Sequence, residues 1–211
     1  MTKIKDQLGL YFIMGSQNCL HDPIWTLEEA IQGGITCFQF REKGTGSFQG
    51  QEKLELAKAL QSLCQKNKLP FIVNDDLDLA DQLGVDGVHV GQDDEHISIV
   101  RKAFPKAILG LSVSRADEGL AVSETEVDYL GIGPIYSTST KEDAKHAIGP
   151  EAVRLLQQAV PAIPRVAIGG INQEHVTELM QSGADGVAVI SAISQANDPR
   201  SAARAFVSKL F

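Results

Sequence analysis

The sequence predicts an α/β protein of the (β/α)8 TIM-barrel class, with one domain spanning residues 1–211. Three observations carry that expectation. Short runs rich in Val, Ile, Leu and aromatics recur along the chain, each followed by a polar turn and a segment with helical spacing, and eight such units can be counted. The runs are apolar on successive residues, as expected for strands buried on both faces of a parallel sheet. The length of 211 residues suits eight compact βα units, which need roughly 200 to 250. A doubly wound open sheet would place its glycines in one dominant first turn, whereas here glycines and polar strand exits are spread over the whole chain.

Taken in order, the first strand is Leu10 to Met14, and Leu27 to Gln32 has helical spacing with Gly34 after it to cap. Thr36 to Arg41 is the second strand; the helix that follows, Gln49 to Lys66, turns Leu54, Leu56, Ala57, Leu60, Leu63 and Cys64 to one face. The third unit is Phe71 to Asn74 with Leu77 to Leu83, ended by Gly84, and the fourth is Gly87 to Val90 with Ile97 to Phe104. Ile108 to Ser112 precedes a helix over Ala116 to Glu124, and Tyr129 to Gly133 precedes one over Glu151 to Ala159. The seventh unit joins Arg165 to Ile168 with Gln173 to Ser182, capped by Gly183; the eighth joins Gly186 to Ile190 with Ser201 to Leu210.

Composition narrows the function. The formal charge of −8 argues against a nucleic-acid or acidic-membrane partner, which would reward an excess of Lys and Arg, although a local basic site remains compatible with it. Cys19, Cys37 and Cys64 are odd in number and lack C-x-x-C spacing, so they read as buried, reduced thiols and not as a disulfide framework or zinc site. The apolar segment from Leu8 to Met14 is too short to span a bilayer and lacks a convincing small-residue cleavage site, which implies a soluble cytoplasmic protein with no membrane partner.

Chemistry is expected at the strand exits. Phe71-Ile72-Val73 runs into Asn74-Asp75-Asp76, and Val88-His89-Val90-Gly91 into Gln92-Asp93-Asp94. Adjacent parallel strands ending this way gather hard oxygen ligands at one rim, and magnesium needs only one or two carboxylates beside waters and phosphates. Asp75 and Asp94 are the preferred ligands; Asp76 and Asp93 are assigned to capping the helices that follow, a role that would account for any of the four. Asn74 could hydrogen-bond a heterocycle, and His89, inside an apolar strand without a partner at zinc spacing, reads as a satisfied core histidine.

The second exit alternates so that Gln39, Arg41 and Lys43 share one direction, an amide and two cations suited to a phosphorylated ligand with a hydrogen-bonding head. Ser112 near the end of the fifth strand lacks a nucleophile elbow and is assigned to substrate binding. The sixth exit is the longest polar loop, in which Ser137-Thr138-Ser139-Thr140-Lys141 can wrap oxyanions. Gly169 and Gly170 at the seventh exit let backbone approach a ligand, and Gly170, Ile190 and Ser191 fit the phosphate cup that barrels build after strands seven and eight with a short extra helix. Two anion sites are implied, which two phosphorylated substrates would explain.

These segments, and with them Gly131-Ile132-Gly133-Pro134-Ile135-Tyr136 and Gly186-Val187-Ala188-Val189-Ile190-Ser191-Ala192-Ile193, resemble the signatures of the thiamine-phosphate synthase family over essentially the whole chain. The resemblance implies a magnesium-dependent TIM barrel. Such an enzyme joins 4-amino-2-methyl-5-hydroxymethylpyrimidine diphosphate to 4-methyl-5-hydroxyethylthiazole phosphate, releasing pyrophosphate and thiamine phosphate. By the same resemblance Gln39, Arg41, Lys43, Asn74, Ser112 and Lys141 hold the pyrimidine diphosphate and Asp75 and Asp94 hold Mg2+. Thr138, Ser139, Thr140, Gly170, Ile190 and Ser191 hold the thiazole phosphate, and Arg41, Lys43, Lys141 and Ser112 are the implied catalytic residues. The related thiazole tautomerase would need no diphosphate and metal site, and uses a histidine where this chain has Ser112-Val113-Ser114. A non-catalytic regulator that binds thiazole phosphate would keep the cup and dispense with the metal pair. An apolar helix face left exposed could pair two barrels as a homo-oligomer.

Overall fold

The computed structural model describes residues 4–138, 140 and 146–211. Its eight strands are β1 (Leu10–Met14), β2 (Cys37–Phe40), β3 (Phe71–Asn74), β4 (Gly87–Val90), β5 (Ile108–Val113), β6 (Tyr129–Ile132), β7 (Arg165–Ile168) and β8 (Gly186–Val189). All neighbours are parallel, and β8 pairs back onto β1 to close the barrel in chain order. Around it lie α1 (Pro23–Gly33), α2 (Gly50–Lys66), α3 (Leu77–Leu83), α4 (Ile97–Ala103), α5 (Ala116–Leu120), α6 (Glu151–Ala159), α7 (Val176–Gln181), α8 (Ser191–Ser194) and α9 (Pro199–Leu210). The expected (β/α)8 class is the observed one.

The strands carry two apolar faces with different duties. Leu10, Phe12 and Met14 of β1 join the layer between barrel and helices, whereas Tyr11 and Ile13 point inward with Cys37, Ile72, Tyr129, Val166, Ala188 and Ile190. Because strand side chains alternate, the inward frame that begins with these apolar residues arrives at the C-terminal rim as Gln39, His89 and Ser112. Core and site are thus successive layers of one interior.

A repeated device sets the strand starts. Just before each even strand, an acceptor binds the N–H at the start of the preceding odd strand: Thr36 Oγ1 takes Leu10 N, Asp86 takes Phe71 N, Asp128 takes Leu109 N and Asp185 takes Arg165 N, each at 2.9 Å. A one-residue slip would turn every inward side chain outward, so four fixed starts protect the register of the rim. Asp185 is also ion-paired with the buried Arg165, whose guanidinium donates to the carbonyls of Val160, Ile163 and Gly183 at the opposite end from the site.

The barrel is closed by a seam between the first and last units. Ser194 Oγ donates to Asn18 O at 2.8 Å, Leu20 N donates to Ser194 O at 2.9 Å, and Arg200 forks onto Glu29 at 2.7 and 2.9 Å. Helix α9 lies along α1, where Gly33 lets the backbones meet: a Cβ there would fall 2.7 Å from Arg200 O.

Helix limits differ from the sequence expectation for local reasons. The first helix begins at Pro23 and not Leu27, because Asp22 accepts the Trp25 N–H and proline suits the first position. The fifth stops at Leu120, short of Glu124. The seventh begins at Val176 because Asn172 to His175 form a turn in which the Asn172 side chain binds Glu174 N. The last begins at Pro199 behind an Asp198 cap. Gly34 and Gly84 are left-handed caps with φ of 100° and 57°, while Gly183, with φ 98°, turns one residue beyond the Ser182 cap. Cys37 and Cys64 are buried thiols whose pKa is pushed up by burial; Cys19 is only partly buried. No helix among the described residues is long and apolar enough to cross a membrane.

Candidate active site

A cavity of about 760 Å³ opens at the C-terminal rim. Among the residues singled out from sequence, Lys43, Asp94, Ser112, Thr138, Thr140, Gly170, Ile190 and Ser191 line it. Gln39, Arg41, Asn74 and Asp75 are not among its lining residues: Gln39 and Arg41 are buried, Asn74 ends β3, and Asp75 contacts the lining residue Lys43. Ser139 and Lys141 lie outside the described residues.

On one side, Lys43 Nζ sits 2.6 Å from Asp75 Oδ2 and 3.9 Å from Asp94 Oδ1. Asp75 turns toward it from a left-handed backbone, φ 60°, which is unusual for a non-glycine residue. Burial raises the Asp75 carboxyl pKa, with a further rise from the hydrogen bond and charge of Asp94 that Lys43 only partly offsets. Burial acts the same way on Asp94, but there the Gly91 N–H at 2.8 Å, the Asp75 hydrogen bond and Lys43 outweigh it, and the pKa falls. Two carboxyls in contact share a proton more readily than they both ionise, and they want a cation. The Lys43 ammonium, its own pKa raised chiefly by the Asp75 hydrogen bond, stands in for one.

The four acidic residues divide as follows. Asp76 caps α3 by accepting Leu79 N at 3.0 Å and also pairs with Lys53 at 2.6 Å. Asp93 does not cap α4; His96 does, its ring accepting Ser98 N, because the turn from Gly91 to Asp94 delays the helix to Ile97. Asp94 closes that turn on Gly91 N, which leaves its other oxygen toward Lys43.

On the opposite side, Ile190 precedes α8 and Ser191 opens it, with Ser191 Oγ 3.2 Å from Thr140 Oγ1, itself 3.3 Å from Thr138 Oγ1. Hydroxyls of the sixth exit therefore gather at a helix start, where N–H groups favour anions. The glycines of the seventh exit serve the sixth. A Cβ on Gly169 would fall 2.5 Å from Pro134, and one on Gly170 2.6 Å from Ser137 O, so both accommodate the crossing loop and not a ligand alone. Ile135 N and Tyr136 N bind Ile168 O and Gly169 O at 2.8 and 3.0 Å, and Tyr136 stacks on His175 at 3.8 Å.

Several supporting residues escaped the sequence reading. Glu42 is buried and accepts Ser16 N at 2.8 Å, Phe48 N at 2.7 Å and the Ser16 hydroxyl, which ties the loop bearing Lys43 to the exit of β1. Gln17 adds a bond to Lys43 O at 2.8 Å. His89, by contrast, is the satisfied core histidine expected from sequence, bonded through both ring nitrogens to Tyr129 Oη at 2.9 Å and Ser112 Oγ at 2.8 Å. The sequence signal for Glu42 was a carboxylate between two cations; for Tyr11 and Tyr129 it was a phenol inside an otherwise aliphatic strand.

Lysine over paired carboxylates and hydroxyls at a helix start are all suited to anions or their counter-ions, and this rim on this barrel defines the class of (β/α)8 enzymes acting on anionic small molecules. Comparison with known proteins narrows the class. A family model described as thiamine monophosphate synthase matches residues 10–193, and the chain belongs to that family. It is 53% identical over 191 residues to the thiamine-phosphate synthase of Oceanobacillus iheyensis, covering 90% of this chain and 93% of that one. It is 51% identical over 203 residues to that of Geobacillus kaustophilus, covering 96% and 92%. The solved thiamine phosphate pyrophosphorylase from Pyrococcus furiosus superposes with a TM-score of 0.88 at 33% identity, over 99% of this chain and 98% of that one.

Proposed function

We propose that this protein acts in the cytoplasm as a magnesium-dependent thiamine-phosphate synthase. It would condense 4-amino-2-methyl-5-hydroxymethylpyrimidine diphosphate with 4-methyl-5-hydroxyethylthiazole phosphate, releasing pyrophosphate. The observation that carries this reading is the placement of the Lys43, Asp75 and Asp94 cluster and the Thr138, Thr140 and Ser191 hydroxyls on opposite sides of one cavity. One pole suits a metal diphosphate and the other a monophosphate.

The donor set fits magnesium. Asp75 and Asp94 offer hard oxygens already drawn together by a cation, and among the described residues no third His, Cys, Asp or Glu completes a cage, so diphosphate and water oxygens would fill the remaining positions. Bound there, the metal supplies counter-charge to the leaving diphosphate. Lys43, released from Asp75, adds its charge to the same oxygens, and Arg41, buried beside it, contributes a second cation. Departure of pyrophosphate leaves a carbocation on the pyrimidine methylene that the aminopyrimidine delocalises, and the thiazole nitrogen, held by its phosphate at α8, attacks it. No protein nucleophile takes part, and the two poles contribute chiefly orientation.

Incubating the protein with both substrates and Mg2+ should yield thiamine phosphate and pyrophosphate; no product at saturating substrate would refute the reading. Asp75→Ala and Asp94→Ala should each lower turnover and shift its Mg2+ dependence to higher concentration, and unchanged behaviour in both would remove the metal assignment.

A further inference from the structure

Beneath the cavity a hydrogen-bonded chain crosses the barrel interior. Gln39 Nε2 donates to Tyr11 Oη at 2.9 Å, Tyr11 Oη meets Tyr129 Oη at 2.7 Å, Tyr129 Oη meets His89 Nδ1 at 2.9 Å, and His89 Nε2 meets Ser112 Oγ at 2.8 Å. Gln39, Tyr11 and Tyr129 are each 1% exposed and His89 8%, so these groups are turned toward one another and not toward bulk water.

Proton counting gives the chain a direction. A phenol carries one proton, and a neutral imidazole carries one on either nitrogen. With Gln39 donating to Tyr11, the arrangement in which every hydroxyl proton finds an acceptor along the chain sends the Tyr11 proton to Tyr129 and the Tyr129 proton to His89 Nδ1. An accepting Nδ1 places the ring proton on Nε2, which donates to Ser112 Oγ. The proton of Ser112 itself is then directed elsewhere, and Ser112 lines the cavity with Lys43 and Asp94. Burial holds both phenols well above their usual titration range, so each remains a proton carrier. The reverse direction would follow from a carbonyl at the Gln39 end; His89 would then accept from Ser112, giving the serine–base pair of a hydrolytic nucleophile.

We propose that Gln39, Tyr11, Tyr129 and His89 are positioning residues that fix the polarity of Ser112, making its hydroxyl a donor to an oxygen of the bound diphosphate. The identity of the acceptor rests on the function proposed above; the polarity does not. The backbone is built around the relay, since a Cβ on Gly110 would fall 2.2 Å from Tyr129 Cζ and 2.4 Å from His89 Nδ1. Polarised chains of this kind strengthen each bond in one direction, so the setting at Gln39 is felt at Ser112.

The test is nitrogen NMR of the ¹⁵N-histidine-labelled full chain at neutral pH without ligands, with the His89 signals identified by their loss in His89→Gln. His89 should be neutral with its proton on Nε2. Gln39→Glu, which offers only acceptors, should move that proton to Nδ1. Tyr129→Phe, which cuts the chain, should lower kcat for thiamine phosphate formation about ten-fold, the equivalent of one net hydrogen bond, with both KM values within about two-fold. A wild-type His89 protonated on Nδ1 or on both nitrogens would overturn the proposal, as would an unchanged kcat in Tyr129→Phe. Should Gln39→Glu fail to fold, the wild-type tautomer and Tyr129→Phe still decide. Should the wild type make no thiamine phosphate, the proposed reaction fails while the tautomer still reports the polarity.

Discussion

Gly110→Ala should destabilise the protein far more than one methyl group suggests. The new Cβ would lie 2.2 Å from Tyr129 Cζ and 2.4 Å from both Tyr129 Oη and His89 Nδ1, all well inside contact distance. Neither ring can retreat easily: Tyr129 is 1% exposed and packs at 5.8 Å from Tyr11 and 5.5 Å from His89. Forcing a methyl into a packed interior costs about 1–3 kcal/mol. Displacing a buried hydrogen bond adds about 1–3 kcal/mol. Relief of glycine's backbone entropy offsets about 0.5–1 kcal/mol, leaving a net loss of about 3 kcal/mol. Gly110 has no left-handed φ, so the effect is steric and not conformational. Urea unfolding followed by circular dichroism measures it, and a double-mutant cycle isolates its cause. In a Tyr129→Ala background the same substitution should cost clearly less than in the wild type, because the nearer of the two rings is gone and His89 gains room to retreat. Wild-type stability in Gly110→Ala, or an equal loss in both backgrounds, would refute the steric argument.

Glu42→Ala strips the acceptor from two backbone N–H groups, Ser16 and Phe48. It should cost about 3 kcal/mol in urea unfolding and raise the KM for the pyrimidine diphosphate, because the Lys43 loop loses its anchor. Burial tends to raise the Asp76 pKa, but Lys53 and the Leu79 N–H outweigh it and the folded pKa lies below the ordinary value. Asp76 therefore stabilises the fold above pH of about 4 and loses that contribution as pH falls through its folded pKa. Asp76→Asn should flatten the acid limb of the stability profile and cost under about 1 kcal/mol at pH 7, since the pair is partly exposed. Ser191→Ala keeps the start of α8 but deletes from the proposed monophosphate pole the hydroxyl that meets Thr140. It should raise the thiazole phosphate KM about ten-fold or more, the equivalent of one charge-assisted hydrogen bond, with fold retained by circular dichroism.

The strands were legible because burial on both faces leaves uninterrupted apolar runs. Leu10–Met14, Phe71–Asn74, Gly87–Val90 and Arg165–Ile168 fall where the runs alone place them. Helix starts were less so, since they depend on caps that compete. Asp22 and Pro23 announce α1 earlier than its apolar spacing does, and Asp93 has the chemistry of a cap but sits in a turn that His96 ends. The rim residues stand out as polar interruptions of apolar runs. Their supports do not: Tyr11 and Tyr129 are 118 positions apart, and only barrel closure makes them neighbours. Gly110 in sequence reads as one more strand glycine, and its necessity is visible only once two rings occupy the space beside it.

The seam has a consequence in time. Asn18 and Ser194 are 176 positions apart, and the contacts joining the first and last units are the most distant the barrel makes. Closing so long a stretch costs conformational entropy before any contact there is gained, which sets such contacts late in folding. Helix α8 lies on that seam, with Ser191 at its start and Ser194 bonded across to Asn18. The proposed monophosphate pole therefore comes into being only when the ring shuts. A chain lacking its last forty residues has neither β8 nor α8, and so lacks the proposed site of the second substrate. Competence for the full reaction and completion of the topology arrive together.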